Sequence, residues 1–247
     1  MIRFYAPDIA TDPRLPEIES GHCVRVLRHK EGDEIEVVDG KGGLHRCVIA
    51  EAKPKSVILD VVESKEIPSP WHRGIIIAVA PTKNMDRMEW MIEKLTEIGI
   101  DRFVPARCEH SERKEIKTER LEKIAISAMK QSLKTSLPEL APITPLRDFV
   151  KALPASVSQR YIAYCNDDLY ERKLLASSLD ATGDCAILIG PEGDFSPEEV
   201  SFAVDNGFTP ISLGPCRLRT ETAAIVAADT VHIISSFKDT MIESQPT

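Results

Sequence analysis

Twice in its second half the sequence runs from a short apolar strand through a glycine-containing turn into a helix. The first instance is CAILIGPEGDFSPEEV, Cys185 to Val200, and the second is ISLGPCRLRTETAAIVAADTV, Ile211 to Val231. A strand without polar alternation is buried on both faces, and the helix after it must pack back over the sheet, which predicts a mainly parallel α/β layer. GIIIAVAP, RFVPA and YIAYC read as further strands of that layer. Met85, Met88, Ile92, Leu95 and Ile98 recur at helical spacing, so NMDRMEWMIEKLTEIG reads as an amphipathic helix closed by Gly99, with its methionines in the core. TERLEKIAISAMKQSLK reads as another helix.

The pattern before residue 70 differs. DEIEVVDG, LHRCVIAEA and SVILDVVES are rich in β-branched residues and are separated by Gly and Lys-Pro turns, which predicts a small β-barrel. DGKGG, Asp39 to Gly43, lies between two such runs with no helix after it, and reads as a hairpin turn rather than a nucleotide loop. EIPSPWHRG, Glu66 to Gly74, reads as a linker, so two domains are expected, 1–70 and 71–247.

A net charge of -8 excludes a generally basic nucleic-acid coat but leaves room for local patches. Residues 102–134 hold nine Lys and Arg against five Glu, and Arg25, Arg28 and Lys30 form a second cluster. Either could simply solvate a surface; together they suit a phosphate backbone. The stretch MIRFYAPDIATDPR has no apolar signal core, and no apolar run reaches membrane-spanning length, so a cytoplasmic protein with no membrane contact is expected. The six cysteines form no CxxC pair and read as reduced thiols. His22-Cys23, His45-x-Cys47 and Cys108-x-His110 match no standard zinc spacing, so no metal is expected.

The two turns carry the chemistry. In the first, Ser196 is placed to cap the following helix, Pro197 to start it and Glu199 to complete a capping box. Gly190-Pro191-Glu192-Gly193 falls at the end of a strand, where open α/β sheets bind ligands. It lacks both a phosphate-loop lysine and a GxGxxG pattern, and Glu192 and Asp194 would repel a phosphate. A cationic ligand without phosphate, such as S-adenosylmethionine, suits it better. The alternative is a turn that merely joins strand to helix. In the second turn Thr220 reads as an N-cap, and Arg217, Arg219 and Glu221 crowd charge into a short loop.

IGPEGDFSPEE followed by LGPCRLRTETAA resembles the two C-terminal motifs of the SPOUT methyltransferases. HCVRVLRHKEGDEIEVVDGKG, MEWMIEKLTEIGIDRFVPARCEHSER and LEKIAISAMKQSLKTSLPEL extend the resemblance to the ribosomal RNA small subunit methyltransferase E family, which methylates uridine N3. The resemblance implies a PUA-like N-terminal barrel, a C-terminal α/β domain with a trefoil knot, a homodimer, and small-subunit ribosomal RNA as substrate. It implies that S-adenosylmethionine is held by Leu188, Ile189, Gly190, Pro191, Glu192 and Gly193 from the first motif. From the second motif, Leu213, Gly214, Leu218, Thr220, Thr222 and Ala223 would contribute. Arg219 is the candidate for stabilising the deprotonated uridine. Glu221 reads equally as a catalytic carboxylate and as a first-turn helix residue. Arg25, Arg28, Lys30, Arg113, Lys130, Gln131 and Lys134 are the candidate RNA contacts. Two places depart from the family pattern: Asp194 stands where a third glycine is usual, and the pair Cys216-Arg217 where Arg-Ile is usual, which leaves the division of labour between Arg217 and Arg219 open. A different SPOUT activity, or an RNA-binding assembly protein that keeps the fold, are the competing readings.

Overall fold

The computed structural model describes residues 2–166, 169–180 and 182–243, with side chains up to 237 in the last helix. The chain divides into two units: Met1–Pro70 with Ala125–Leu137, and Trp71–Ile124 with Pro138–Thr247.

The first unit contains β1 (Arg3–Tyr5), α1 (Glu17–Gly21), a π-helical turn at His22–Val26, β2 (Glu34–Val38), β3 (Gly43–Lys53) and β4 (Ser56–Glu66). They form a four-stranded sheet in the order β1-β2-β3-β4, parallel between β1 and β2 and antiparallel elsewhere. The period-two pattern of the sequence explains its buried face: Ile35 and Val37, Cys47 and Ile49, Val57 and Leu59 close over Phe4, Ile9 and Leu15. Burial pushes the Cys23 and Cys47 thiols up to about 11, as expected of packed, protonated core residues. The DGKGG segment is the predicted hairpin turn. The Asp39 carboxylate accepts the Lys41 and Gly43 N–H groups at 2.7 and 2.9 Å, and Gly40 and Gly42 take φ of 76° and 110°.

The second unit begins with β5 (Ile75–Val79), α2 (Met85–Ile98) and β6 (Arg102–Arg107). Then come α3 (Thr118–Gln131), whose residues from Ala125 onward belong to the first unit, β7 (Glu139–Leu140), β8 (Thr144–Pro145), α4 (Leu146–Ala152), β9 (Gln159–Ala163), β10 (Lys173–Leu174) and α5 (Leu175–Ser178). It ends with β11 (Cys185–Ile189), α6 (Pro197–Asp205), β12 (Thr209–Ser212) and α7 (Thr220–Glu243). All its strand pairs are parallel, in the order β10-β12-β9-β11-β5-β6-β7, with β8 also on β6. Every residue of β11 is buried, which is why its sequence shows no alternation. The chain enters at β5, moves outward through β6 and β7, crosses to β9, and inserts β11 between β9 and β5. That order brings the C-terminal ends of β9, β11 and β12 side by side, in the kind of crevice where open α/β sheets hold ligands.

The helices begin and end for local reasons. The Asn84 side chain accepts the Asp86 N–H at 2.8 Å at the start of α2, and Gly99, at φ 112°, donates to the Leu95 carbonyl at its end. Met88, Met91, Ile92 and Leu95 are its buried stripe. Ser196 and Glu199 form the predicted capping box of α6. Thr220 differs from its expected N-cap role. It is the first residue of α7, and its hydroxyl serves another loop, described below.

Candidate functional site: a cavity across three strand ends

The three adjacent strand ends of the second unit surround a cavity of about 360 Å³. Ala163, Tyr164 and Cys165 come from the end of β9, Ile189 to Glu192 and Asp194 from the end of β11, and Ile211 to Gly214 from β12. Cys216 to Thr220, Ala223 and Arg172 complete the lining. The two glycine turns therefore face one space, and a direct bond joins them: the buried Thr220 Oγ1 donates to the Gly190 carbonyl at 3.0 Å. A Cβ at Gly190 would come within 3.1 Å of the Phe195 ring, and Gly214 sits at φ 123°, so a larger residue in the first turn would have to displace that ring and the second turn is conformationally committed to glycine.

Most of the motif residues expected at a ligand line this cavity: Ile189, Gly190, Pro191 and Glu192, then Leu213, Gly214, Leu218, Thr220 and Ala223. Three do not. Leu188 is fully buried and packs into the core of the α/β unit with Val104 and Ile162. Gly193 lies against His110, whose Cβ stands 3.2 Å from the position a Gly193 Cβ would take. Thr222 is half-buried off the lining. The wall supplied by β9 was not expected, because YIAYC carries no motif beyond that of a strand. Arg172 was missed as well: its guanidinium donates to the Tyr164 carbonyl and stands 5.4 Å from the centre of the Tyr164 ring.

The two candidate catalytic side chains separate. Arg219 lines the cavity, is exposed, and its guanidinium has no hydrogen bond or ion pair among the described residues. Arg217 lines the same rim and is equally exposed. Glu221 instead turns from the cavity into the protein. It is 5% exposed, one carboxylate oxygen lies 3.7 Å from Arg87 Nε of α2, and the other is buried without a hydrogen-bond partner among the described residues. Glu221 lies in the first turn of α7, whereas Arg219 precedes that helix in the loop that lines the cavity.

Asp194 adopts φ 65°, a left-handed conformation that glycine takes without cost, which fits the glycine that the motif resemblance implies there. Its carboxylate is turned onto backbone N–H groups rather than left free in the cavity. The charge that the sequence places beside a ligand thus reduces to Glu192, which is exposed on the rim.

The basic residues also divide. Arg25, Arg28, Lys30 and Gln131 are exposed in the first unit. Lys130 lies within 2.5 Å of Glu19 Oε1, with only 20% and 10% of the two side chains exposed, so its charge is already matched. Lys134 is half-buried and already partnered. Arg113 donates to the Thr82 and Lys83 carbonyls at 3.2 and 2.6 Å and fixes that loop. Both of these expected RNA contacts thus have a local partner: the Glu19 carboxylate for Lys130, and two backbone carbonyls for Arg113. Among the described residues no group of three or more His, Cys, Asp or Glu is disposed to hold a metal ion, and no helix is long and apolar enough to cross a membrane.

Residues 69–232 match the RNA methyltransferase domain family, and residues 15–62 match the RNA methyltransferase PUA domain family. A Synechocystis relative, ribosomal RNA small subunit methyltransferase E, is 32% identical over 216 residues, covering 85% of this chain and 69% of that protein. The crystal structure of a probable rRNA-methyltransferase from Porphyromonas gingivalis superimposes with a TM-score of 0.92 at 47% identity, covering 96% of this chain and 100% of that one. The ribosomal RNA small subunit methyltransferase E from Neisseria gonorrhoeae, solved bound to S-adenosyl methionine, gives a TM-score of 0.82 at 25% identity, covering 95% of this chain and 98% of that one.

Proposed function

This chain belongs to the ribosomal RNA small subunit methyltransferase E family, and we propose that it transfers a methyl group from S-adenosylmethionine to N3 of a uridine in small-subunit ribosomal RNA. The observation that carries the reading is the cavity over β9, β11 and β12, with an arginine on its lining that has no partner among the described residues. The lining fits the cofactor. It offers backbone groups from two glycine turns, apolar Ile189, Leu213 and Leu218, and charges of both signs with no lysine, which suits a cofactor that carries an ammonium, a carboxylate and a sulfonium but no phosphate. S-adenosylmethionine supplies an electrophilic methyl group on a sulfonium.

The residues of the chain hold and orient the reactants. Uridine N3 is a poor nucleophile until its proton leaves, and the lone pair must then lie in line with the methyl carbon and sulfur, so positioning carries much of the rate. As the proton is released to solvent, negative charge spreads onto the flanking carbonyl oxygens. The Arg219 guanidinium, with no partner of its own among the described residues, is the donor available for that charge. Glu221, turned toward Arg87, acts by fixing the first turn of α7, and through it Arg219.

The same reading assigns a PUA-like barrel to residues 1–70 and a knotted SPOUT domain to 71–247, with RNA binding by Arg25, Arg28, Lys30 and Gln131. It also assigns a cytoplasmic homodimer. Trp90, Ile233 and Phe237, 45%, 57% and 61% exposed on α2 and α7, support a covered apolar face. Mass spectrometry of nucleosides from small-subunit RNA, with and without the protein, tests the reaction. Appearance of 3-methyluridine supports it; a 2'-O-methylated or purine product, or no product, overturns it.

A further inference from the structure

We infer that Asp194 is a positioning residue of the cofactor cavity, its carboxylate clamping the loop after β9 to the turn after β11; this rests on the cavity being the S-adenosylmethionine site. One oxygen, Oδ1, accepts the Phe195 N–H at 2.9 Å. The other, Oδ2, accepts the Cys165 and Asn166 N–H groups at 2.8 and 3.2 Å. The main-chain carbonyl of Asp194 accepts from His110 Nδ1 at 2.9 Å, and its N–H donates to the Pro191 carbonyl at 2.9 Å. One residue therefore holds the loops after β6, β9 and β11 together, and both Asp194 and Cys165 line the cavity.

The backbone makes the point sharper. Besides glycines, only Arg28, Leu133 and Asp194 take positive φ among the described residues, and an L side chain in that region is strained. Glycine would hold the φ of 65° with less strain but could tie nothing to Cys165 and Asn166. Three backbone donors on one ionised carboxylate are charge-assisted bonds, which offset that strain. They also order the β9 loop before any ligand arrives, so binding need not order it. Loss of the clamp should therefore weaken cofactor binding and leave the methyl-transfer step nearly intact.

Asp194→Gly separates the clamp from the backbone conformation, because it relieves the φ strain and removes the carboxylate. Asp194→Asn keeps the side-chain shape with a single acceptor oxygen and should fall between the two. The expected result for Asp194→Gly is a Kd and KM for S-adenosylmethionine raised about 10- to 100-fold, the range lost with one or two such bonds. Its kcat at saturating cofactor should change less than about threefold. Amide exchange at Cys165, Asn166 and Phe195 should accelerate in the cofactor-free variant. A glycine variant that binds as tightly as wild type, or that loses kcat with KM unchanged, overturns the proposal. If wild-type protein itself fails to bind S-adenosylmethionine, the functional reading falls. The exchange rates then decide the clamp alone: faster exchange at the three amides in the glycine variant upholds it, and unchanged exchange ends it.

Discussion

Arg219 and Glu221 stand two residues apart, yet their environments give them different work. Arg219 is exposed on the cavity without a partner among the described residues, whereas Glu221 is buried beside Arg87. If Arg219 stabilises the deprotonated base, Arg219→Ala should lower the single-turnover rate about 10²–10³-fold while cofactor affinity changes little. Arg219→Lys should recover little of that, because a point charge cannot reproduce a planar fork of donors. A near-normal rate in Arg219→Ala would pass the role to Arg217. His110 offers a test by pH. Its donation to the Asp194 carbonyl, then the nearby Glu109 and Glu199 carboxylates and the Gly193 carbonyl, raise its pKa above the ordinary histidine value despite some opposing desolvation. A raised folded pKa means that the contribution is full below the unfolded value, about 6.5, and is lost as pH rises through the folded one. The turn at Gly193 and Asp194 should therefore be held most firmly in mild acid. An NMR titration of His110 that falls at or below the ordinary value would contradict this.

At the scale of elements, the bond from Thr220 Oγ1 to the Gly190 carbonyl joins the start of α7 to the end of β11. Thr220→Val leaves that buried carbonyl unsatisfied and should cost about 1–3 kcal/mol in denaturant unfolding, with weaker cofactor binding; Thr220→Ser should restore both. Equal stability for the valine variant would show that the turns are held by other contacts. Elements of this kind were legible because their signals are local. The stripe Met88, Ile92 and Leu95, the Ser196–Glu199 box and the all-apolar β11 each state their structure within a few residues. The cavity was half legible. Its two glycine turns announce themselves, but the β9 wall of Tyr164 and Cys165 depends on strand order, which no short window contains. The place of Asp194 was visible only as a departure from a glycine; its three N–H partners include two residues nearly thirty positions away.

For the whole molecule the question is how a chain of net charge -8 holds a polyanion. Counting lysines and arginines along 102–134 overstates the free charge. Lys130 is paired with Glu19, a residue 111 positions earlier, Arg120 with Glu89, and Arg113 is spent on carbonyls. Arg25 and Arg28 are exposed and unpaired among the described residues of the first unit. If RNA is held through phosphates, replacing both by Ala should flatten the slope of log affinity against log salt by about 1.4 on single strands to 1.8 on duplex, from about 0.7 or 0.9 per contact. Lys130→Ala should behave differently. It leaves the Glu19 carboxylate, already bonded to the Tyr5 N–H, without its cation, so it should cost about 1–3 kcal/mol in the stability of the first unit and leave the salt slope unchanged. Affinity titrations across a salt series, run beside unfolding curves for both variants, separate charge that binds RNA from charge that holds the fold. A flattened slope in Lys130→Ala with unaltered stability would reverse the assignment, and would mean that the ion pair with Glu19 opens when RNA binds.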